Sequence, residues 1–524
     1  MTLRKLALVA LFLLTTTLRA DAPGVYALTG ATVHPASGSN IPNGIVIIRN
    51  GLIEAVGANV TIPADATVID LKGAHVYPGL IDAQTSMGLA APARGNGGAG
   101  RAAPPPEPGP DTLAARNVTF SDDDLDARRA TGVTTIVTAP SHGIFNGQSA
   151  VLNLGSGPAE SRLIKSPAAL QISFNTRPTW TFPDSLMGVM AHIRQSFLDA
   201  QQLVAAREVY QRNPSGLQRP AESPQLDALA PVLRRELPVV FMADSEAMMR
   251  RAQSLARELN VSYILSGARQ GYAMVNDLKN VPVLVSVRWP IAPANKDDRD
   301  DQPLRVIRDR QLAPTTPAVL AKSNVPFALV TGAAKAGDFL PGIRKAIENG
   351  LSAEDALRAT TLWPARIFGV DRQLGSLERG KIANVIVSDK PLFAEKSKVT
   401  RVFIDGRELR LTAAEPKEGA AGPIDGTWAL SVRAPQGNLS ITVTLTAADG
   451  RLTGTFSGDR GTGDIRNGTL GSDGTSFEFT ISAEAQNEAE TTDWVFRGTL
   501  TGSNMAGSVT TTIGSWEFSG SKSE

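Results

Sequence analysis

The middle of the chain alternates between short apolar runs and longer amphipathic tracts, and this alternation limits the fold more than any other feature. Gly132–Val137 is apolar and β-branched enough to be a buried strand, and Asp122–Thr131 before it is predicted to be a helix. Asn146–Ala150 is predicted to be a loop. Repeated strand–helix units are typical of a parallel sheet, closed into a barrel or left open. Further predicted strands are Val151–Leu154, Ala168–Phe174, Pro238–Ala243, Ser262–Ser266, Val281–Val287 and Val325–Thr331. Further predicted helices are Asp184–Asn213, Ser245–Leu259, Asp338–Gly350 and Ser352–Ala359.

Three separated motifs bracket this alternating tract. Pro78–Asp82 reads PGLID, Leu351–Arg366 contains LSAEDALRATT followed by PAR, and Gly375–Val387 reads GSLERGKIANVIV. Together they resemble the amidohydrolase superfamily of metal-dependent hydrolases, in its imidazolonepropionase-like or dihydroorotase-like composite form. The resemblance spans about Val25 to Leu411. It implies an α/β fold, a (β/α)8 TIM-type barrel with a flanking composite β-sandwich, and nominally a hydrolase of non-peptide C–N bonds.

The last hundred residues follow a different pattern, with a period of two. Leu439, Ile441 and Val443 alternate with polar residues, and glycine-containing turns recur about every ten residues, as in small antiparallel barrels. We therefore expect a C-terminal antiparallel all-β barrel or sandwich, either holding a ligand or serving as a packing module. The predicted segments are a signal peptide at 1–20, the composite β-sandwich at 21–76 and 370–412, the barrel at 77–369 with a disordered insertion at 89–111, a linker at 413–424, and the all-β domain at 425–524.

The first twenty residues have the composition of a secretory signal. Arg4 and Lys5 precede the apolar run Leu6–Leu14, and Ala20 offers a small residue for cleavage. The run is too short for a transmembrane anchor. A net charge of +1 gives no indication of nucleic-acid binding, and the absence of cysteine excludes disulfides and thiolate sites. We expect a periplasmic or secreted protein with no membrane anchor after the signal is removed.

The positions where the superfamily carries metal ligands hold other residues here. The resemblance implies His-x-His directly after PGLID, a further histidine on the fifth strand and an aspartate after the eighth. Gln84 and Ser86, Met242, and Gly332 occupy these positions. The chain has only four histidines, of which His142 follows a predicted strand and is a candidate to face the pocket. The sequence therefore predicts pocket residues but no metal ligands, no cofactor and no catalytic residue.

Several functions are compatible with this pattern. The first is a barrel without its metal site that serves as a binding or partner subunit, with a small-molecule ligand or beside a paralogous amidohydrolase. The second is an active amidohydrolase that cleaves cyclic or linear amides through an atypical site, with zinc as its cofactor. In a third, the C-terminal barrel is the working part. A serine hydrolase built from Ser86, His142 and Asp244 is a weaker alternative because no Gly-x-Ser-x-Gly turn accompanies them.

Overall fold

The computed structural model describes residues 24–89, 107–177, 181–292, 302–332, 336–409, 411 and 424–522, apart from 435–436, 449, 459–460, 472–473, 485–490 and 512–513. The predicted signal peptide at 1–20 lies outside these ranges, as do most of the predicted insertion and most of the predicted linker. The chain divides into two compact units, Met1–Thr412 and Ala413–Glu524. Within the described residues, no helix combines the length and the apolar character that crossing a membrane requires.

The first unit contains both strands and helices in its described part. Its strands are β1 (Tyr26–Val33), β2 (Ile41–Arg49), β3 (Leu52–Gly57), β4 (Thr67–Asp70), β5 (His75–Pro78), β6 (Leu80–Thr85), β7 (Val133–Thr138), β8 (Phe145–Gln148), β9 (Ala150–Asn153), β10 (Leu163–Lys165), β11 (Leu170–Ser173), β12 (Val239–Ala243), β13 (Tyr263–Gly267), β14 (Val283–Ser286), β15 (Phe327–Val330), β16 (Val385–Ser388), β17 (Val399–Ile404) and β18 (Arg407–Leu409). Its α-helices are α1 (Asp122–Ala130), α2 (Leu186–Arg212), α3 (Pro224–Asp227), α4 (Ala230–Leu233), α5 (Glu246–Glu258), α6 (Leu304–Leu312), α7 (Thr316–Lys322), α8 (Phe339–Glu348), α9 (Ala353–Thr360) and α10 (Leu362–Ile367).

One eight-stranded sheet joins the beginning of this unit to its end. The strand order is β18-β17-β16-β5-β1-β2-β3, with β4 paired to β1. The two segments meet where Val385 to Ser388 pair antiparallel with Pro78 to His75. Side chains from both segments share one core, among them Val33, Val76 and Phe403. This is the composite sheet that the separated motifs predict, and it leads the chain from β5 directly into the barrel.

The barrel has eight strand positions, and seven of them are parallel. β6 pairs with β7, and β11 to β15 pair in chain order, all of them parallel. The third position is filled by β8 and β9, which are joined at Ser149 and run antiparallel to β11 and β7. The predicted loop at Asn146–Ala150 is therefore wrong. The segment is buried strand on both sides of Ser149, whose backbone N–H donates to the carbonyl of Ala169 over 2.8 Å.

A buried carboxylate links the first barrel strand to the last. Asp82 on β6 is fully buried and accepts hydrogen bonds from the backbone N–H of Thr331 at 3.0 Å and from its hydroxyl at 2.5 Å. The guanidinium of Arg128, on α1, lies 3.1 Å from the same carboxylate. Burial raises the pKa of Asp82, and Arg128 and Thr331 oppose that shift. Three elements that are far apart in sequence thus meet at one charged group.

The second unit is a closed antiparallel barrel. Its strands follow the order β20-β19-β27-β26-β25-β24-β23-β21-β22, and a pairing of β20 with β21 closes the ring. The interior is filled by aromatic side chains: the ring centroids of Phe479 and Phe496 are 5.0 Å apart, and those of Phe496 and Phe518 are 5.1 Å apart. A filled interior favours a packing module over a ligand container. The strands are β19 (Gly426–Ala434), β20 (Gly437–Ala448), β21 (Arg451–Gly458), β22 (Gly461–Asp464), β23 (Arg466–Leu470), β24 (Ser476–Glu484), β25 (Thr491–Thr501), β26 (Asn504–Thr511) and β27 (Gly514–Lys522).

Replacing Asp82 by alanine is expected to destabilise the first unit by about 3–5 kcal/mol, because Arg128 is then buried without its counter-charge. Urea denaturation followed by circular dichroism measures the loss. The control is Asp65→Asn, since Asp65 pairs with Arg49 on the surface and its replacement is expected to change little. An Asp82→Ala variant as stable as the parent would show that the link is not a structural requirement.

The segment 425–524 is expected to fold when it is expressed alone. Its strands close on themselves, and its core, which includes Trp428 and Phe479, consists of its own side chains. Circular dichroism with a thermal melt tests this, and a cooperative transition is the expected result. A disordered spectrum without a transition would contradict an autonomous barrel.

Candidate functional site

A cavity of about 430 Å³ lies at the carboxyl ends of the barrel strands. In a barrel with parallel strands, residues that follow different strands converge at this end. Residues at or just after the ends of β6, β7, β11, β12 and β15 meet here, together with Asn146 of β8. The described residues that line the cavity are Gln84, Thr85, Ser86, Ala139, Pro140, Ser141, Asn146, Gln171, Ser173, Phe174, Asn175, Met242, Asp244, Met248 and Gly332.

Four of the five pocket residues proposed from the sequence line this cavity. Gln84 lies on β6 and Ser86 directly follows that strand. Met242 lies on β12, and Gly332 follows β15. Gly332 has a φ of +62°, and a Cβ there would lie 3.0 Å from the hydroxyl of Ser286. Position 332 is therefore held in a conformation that disfavours the aspartate the superfamily pattern would place there.

His142, the fifth proposed residue, is not among the lining residues. Its backbone carbonyl accepts a hydrogen bond from the side-chain amide of Asn146 at 2.9 Å, and its Nδ1 is buried without a partner among the described residues. No hydrogen bond joins it to Ser86 in the described part of the chain. Asp244 lines the cavity and forms an ion pair with Arg269 at 2.9 Å. Ser86, His142 and Asp244 are thus not connected as a catalytic triad.

The other three histidines lie elsewhere. Nε2 of His34 and Nδ1 of His75 are 3.0 Å apart in the composite sheet, and the His34 ring stacks on Tyr77 with centroids 4.3 Å apart. Burial lowers the pKa of both imidazoles. His192 lies on α2, edge-on to Phe145. None of the three lines the cavity at the strand ends.

Three buried carboxamides line this cavity, and sequence reasoning proposed Gln84 but missed Asn146 and Gln171. Gln171 is 1% exposed, Asn146 is 2% exposed and Gln84 is 8% exposed, and all three line the cavity. Both amide atoms of Gln171, the side-chain oxygen of Asn146 and that of Gln84 have no hydrogen-bond partner among the described residues. Each such group costs about 1–3 kcal/mol when it is buried unpaired. A glutamine between two apolar residues of β11, Leu170 and Ile172, was the available signal in the sequence.

The cavity is nearly neutral. Among its described lining residues only Asp244 carries a charge, and Arg269 pairs with it. Asp82 lies deeper, where Thr331 and Arg128 occupy its carboxylate. Phe174, Met242 and Met248 supply apolar wall. The arrangement combines amide donors and acceptors with apolar surface, which suits an uncharged polar molecule.

The side chains present do not fit the divalent metal that the superfamily resemblance implies. Zinc and manganese sites are built from imidazole, carboxylate or thiolate groups. Gln84, Ser86 and Met242 offer an amide, a hydroxyl and a thioether instead. Among the described residues, no group of three or more His, Cys, Asp or Glu side chains is arranged to hold an ion.

Comparisons with known proteins agree with the fold and the motifs. The profile of the Amidohydrolase family matches residues 307–409, from α6 to β18. The crystal structure of an amidohydrolase from Thermotoga maritima MSB8 is 26% identical, covers 74% of this chain and 99% of its own, and superposes with a TM-score of 0.63. Molinate hydrolase is 18% identical, with 75% and 96% of the two chains covered and a TM-score of 0.46. A. niger ochratoxinase is 15% identical, with 74% and 96% covered and a TM-score of 0.45.

The profile match and the Thermotoga structure are the informative comparisons. The matched residues contain two of the three motifs, Leu351–Arg366 and Gly375–Val387. The composite sheet and the barrel complete the pattern. The superfamily predicted from these motifs is confirmed: the chain is a member of the amidohydrolase superfamily.

Proposed function

We propose that the barrel binds a small, uncharged polar molecule at the carboxyl ends of its strands and does not hydrolyse it with a metal. The observation that carries this proposal is the set of three buried carboxamides, Gln84, Asn146 and Gln171, which line the cavity with unpartnered polar atoms. In this proposal the protein is a catalytically impaired member of its superfamily, a binding or partner subunit without a cofactor.

The chemistry of the carboxamide supports a ligand with both donors and acceptors. A glutamine side chain offers two N–H donors and an oxygen acceptor. Gln171 presents both kinds, whereas Gln84 and Asn146 present unpartnered oxygens only. A ligand that satisfies all of these groups donates to three oxygens and accepts from one amide. Ligand hydroxyls or amides meet this requirement, and a carboxylate ligand, which only accepts, does not.

Absence of hydrolysis follows from the same residues. Cleaving an amide requires an activated water and stabilisation of the oxyanion that forms. Amide, hydroxyl and thioether side chains at the superfamily's ligand positions do not lower the pKa of water. Asp82, the most buried carboxylate at this end, is already committed to Arg128 and Thr331.

A second candidate is hydrolysis of amide C–N bonds through an atypical site. Its support is Asp244, a carboxylate that lines the cavity directly after β12 and is a candidate general base. In this case zinc remains the expected cofactor. Release of an amine from neutral amides by the purified protein, lost in Asp244→Asn, would favour this candidate over simple binding.

Export to the periplasm or the medium, and a role beside a paralogous amidohydrolase, complete the proposal. The composition of residues 1–20 supports export. The absence of usual ligands at four superfamily positions supports a partner role, because a subunit that no longer performs the reaction can still contribute a binding surface. Detection of the mature chain in a periplasmic fraction tests the location.

Replacing Gln171 by leucine is expected to stabilise the ligand-free protein by about 1–3 kcal/mol, because two buried polar atoms without partners are removed at similar volume. The same change should abolish the rise in melting temperature that a binding amide or polyol produces. Differential scanning fluorimetry against a panel of acetylated amino-acid amides and monosaccharides measures both effects.

The matched control is Gln148→Leu. Gln148 is also buried in a barrel strand, but its side-chain amide donates to the carbonyl of Pro110 over 2.8 Å. Its replacement should lower the melting temperature. If Gln171→Leu is destabilising to the same degree, the amide of Gln171 has an internal partner and the binding proposal loses its main support.

The purified protein is expected to contain much less than one zinc or manganese ion per chain. Elemental analysis after purification without chelators measures this. The triple variant Gln84→His, Ser86→His, Met242→His should then gain zinc affinity, since the strand ends that shape the pocket are retained. One tightly held zinc per chain in the parent, lost on Gln84→Ala, would contradict the proposal.

Adding Gly332→Asp to that triple variant is expected to lower its melting temperature. Position 332 has a positive φ and lies against the hydroxyl of Ser286. A side chain at a positive φ strains the backbone. The three introduced histidines are not at such positions. A melting temperature unchanged by the fourth substitution would show that the loop relaxes.

A further inference from the structure

The long helix α2 has an apolar stripe on its outer face. Its inner face is buried through Val189, Ile193, Phe197 and Ala200. On the outer side Met187 is 81% exposed, and Leu198 and Val209 are each 54% exposed. Five of the thirteen large apolar side chains found exposed among the described residues lie in the short segment 182–217; they are Phe182, Met187, Leu198, Val209 and Leu217.

These side chains form a straight line along the helix. Met187, Leu198 and Val209 are spaced by eleven residues, and eleven residues make about three turns of an α-helix, so each lies within roughly 20° of the next. Ala191 and Ala205 are both exposed, and each lies within roughly 20° of Leu198 around the helix axis. The stripe therefore runs over 23 of the 27 residues of α2. Exposed polar side chains such as Gln195 and Gln202 lie between these residues, so the stripe is a row of aligned apolar side chains; their alignment on one exposed face favours an interaction site.

The stripe is symmetric about Leu198. Met187 and Val209 are eleven residues before and after it, and Ala191 and Ala205 are seven residues before and after it. A second copy of α2, laid antiparallel across the first, would place Leu198 against Leu198 and Met187 against Val209. Ala191 would then meet Ala205, and these small side chains allow two helices to approach to the lower end of the usual 8–10 Å separation.

The charges at the two ends of the helix fit the same arrangement. Asp184 is exposed just before the helix begins, and Arg212, whose side chain is 80% exposed, ends it. In an antiparallel pair each Asp184 lies near the Arg212 of the other copy, and the two helix dipoles oppose each other favourably. Phe182 beyond one end and Leu217 beyond the other extend the apolar contact.

We infer that two copies of this chain pair through α2, antiparallel, about a two-fold axis at Leu198. A two-fold interface is self-complementary, so residue i must fit residue j of the other copy and the reverse. The stripe meets this condition at five positions. A helix of 27 residues is about 40 Å long. The row of exposed apolar side chains from Met187 to Val209 covers about 33 Å of that length. The pairing is independent of the cavity and of the function proposed for it.

The absence of cysteine from the chain gives a direct test of the axis. Leu198→Cys in the full-length protein should form a disulfide-linked dimer under mild oxidation, because the two thiols face each other across the axis. Met187→Cys alone and Val209→Cys alone should not, whereas a mixture of these two variants should. Leu304→Cys, at a leucine on α6 that is more exposed than Leu198, is the control and should not crosslink.

Sedimentation of the unoxidised protein gives the second readout. The parent should sediment as two chains, and Leu198→Glu should sediment as one chain with an unchanged circular dichroism spectrum; Leu304→Glu should remain two chains. Self-crosslinking of Met187→Cys would mean parallel helices and would overturn the axis. A parent that sediments as a single chain would overturn the pairing altogether and leave α2 to a different partner, such as a paralogous barrel.

Discussion

The carboxylate of Asp82 is the contact on which the first unit depends. It joins β6 to Thr331 at the end of β15, where a ring of eight strands must close, and α1 is anchored to it through Arg128. The pairing of β6 with β7 is irregular between Asp82 and Thr85, and in this stretch Asp82 bonds to Thr331 while Gln84 lines the cavity. Closure of the barrel and the wall of the cavity therefore involve neighbouring residues of one strand. The aspartate of the PGLID motif thus has a structural role in this barrel.

In the proposed binding role, neutral groups stand at the positions where the superfamily resemblance implies metal ligands. A cluster of imidazoles and carboxylates without an ion would repel or remain unpaired. The neutral side chains do not repel one another and need no ion between them; they are Gln84, Met242 and the neighbouring Gln171. Burying the two amides away from water nevertheless costs free energy. Gln171 is almost fully buried with no partner for either amide atom among the described residues, and this is the physical reason for the ligand in the proposed function.

The sequence predicts the fold better than it predicts the site. Strand positions and the composite sheet follow from periodicity and motifs, and Ser352, the first residue of a predicted helix, caps α9 by accepting from the N–H of Asp355 over 3.0 Å. The antiparallel direction of β8 and β9 at the third barrel position could not be predicted, because a short buried strand has the same composition whichever way it runs. The carboxamide of Gln171 was missed because its importance depends on the inside of a closed barrel, and that is defined only when residues 82 and 331 meet. His142 follows a strand as predicted, but its loop does not bring it into the lining.

A series of packed side chains connects α2 to the wall of the cavity. Phe197 on the inner face of the helix contacts Phe145, with ring centroids 6.4 Å apart, and Phe145 immediately precedes Asn146 in the cavity wall. Phe174, also in the wall, stacks on Phe241 of the neighbouring strand at 5.9 Å. Pairing through Leu198 would restrain α2 and, through Phe197, the strand that carries Asn146. Gln84 and Met242 are on other strands and would be unaffected. Adjacency alone does not establish coupling. In a dimer held by the Leu198→Cys disulfide, a smaller side chain at position 197 would have to remove any dependence of ligand affinity on pairing.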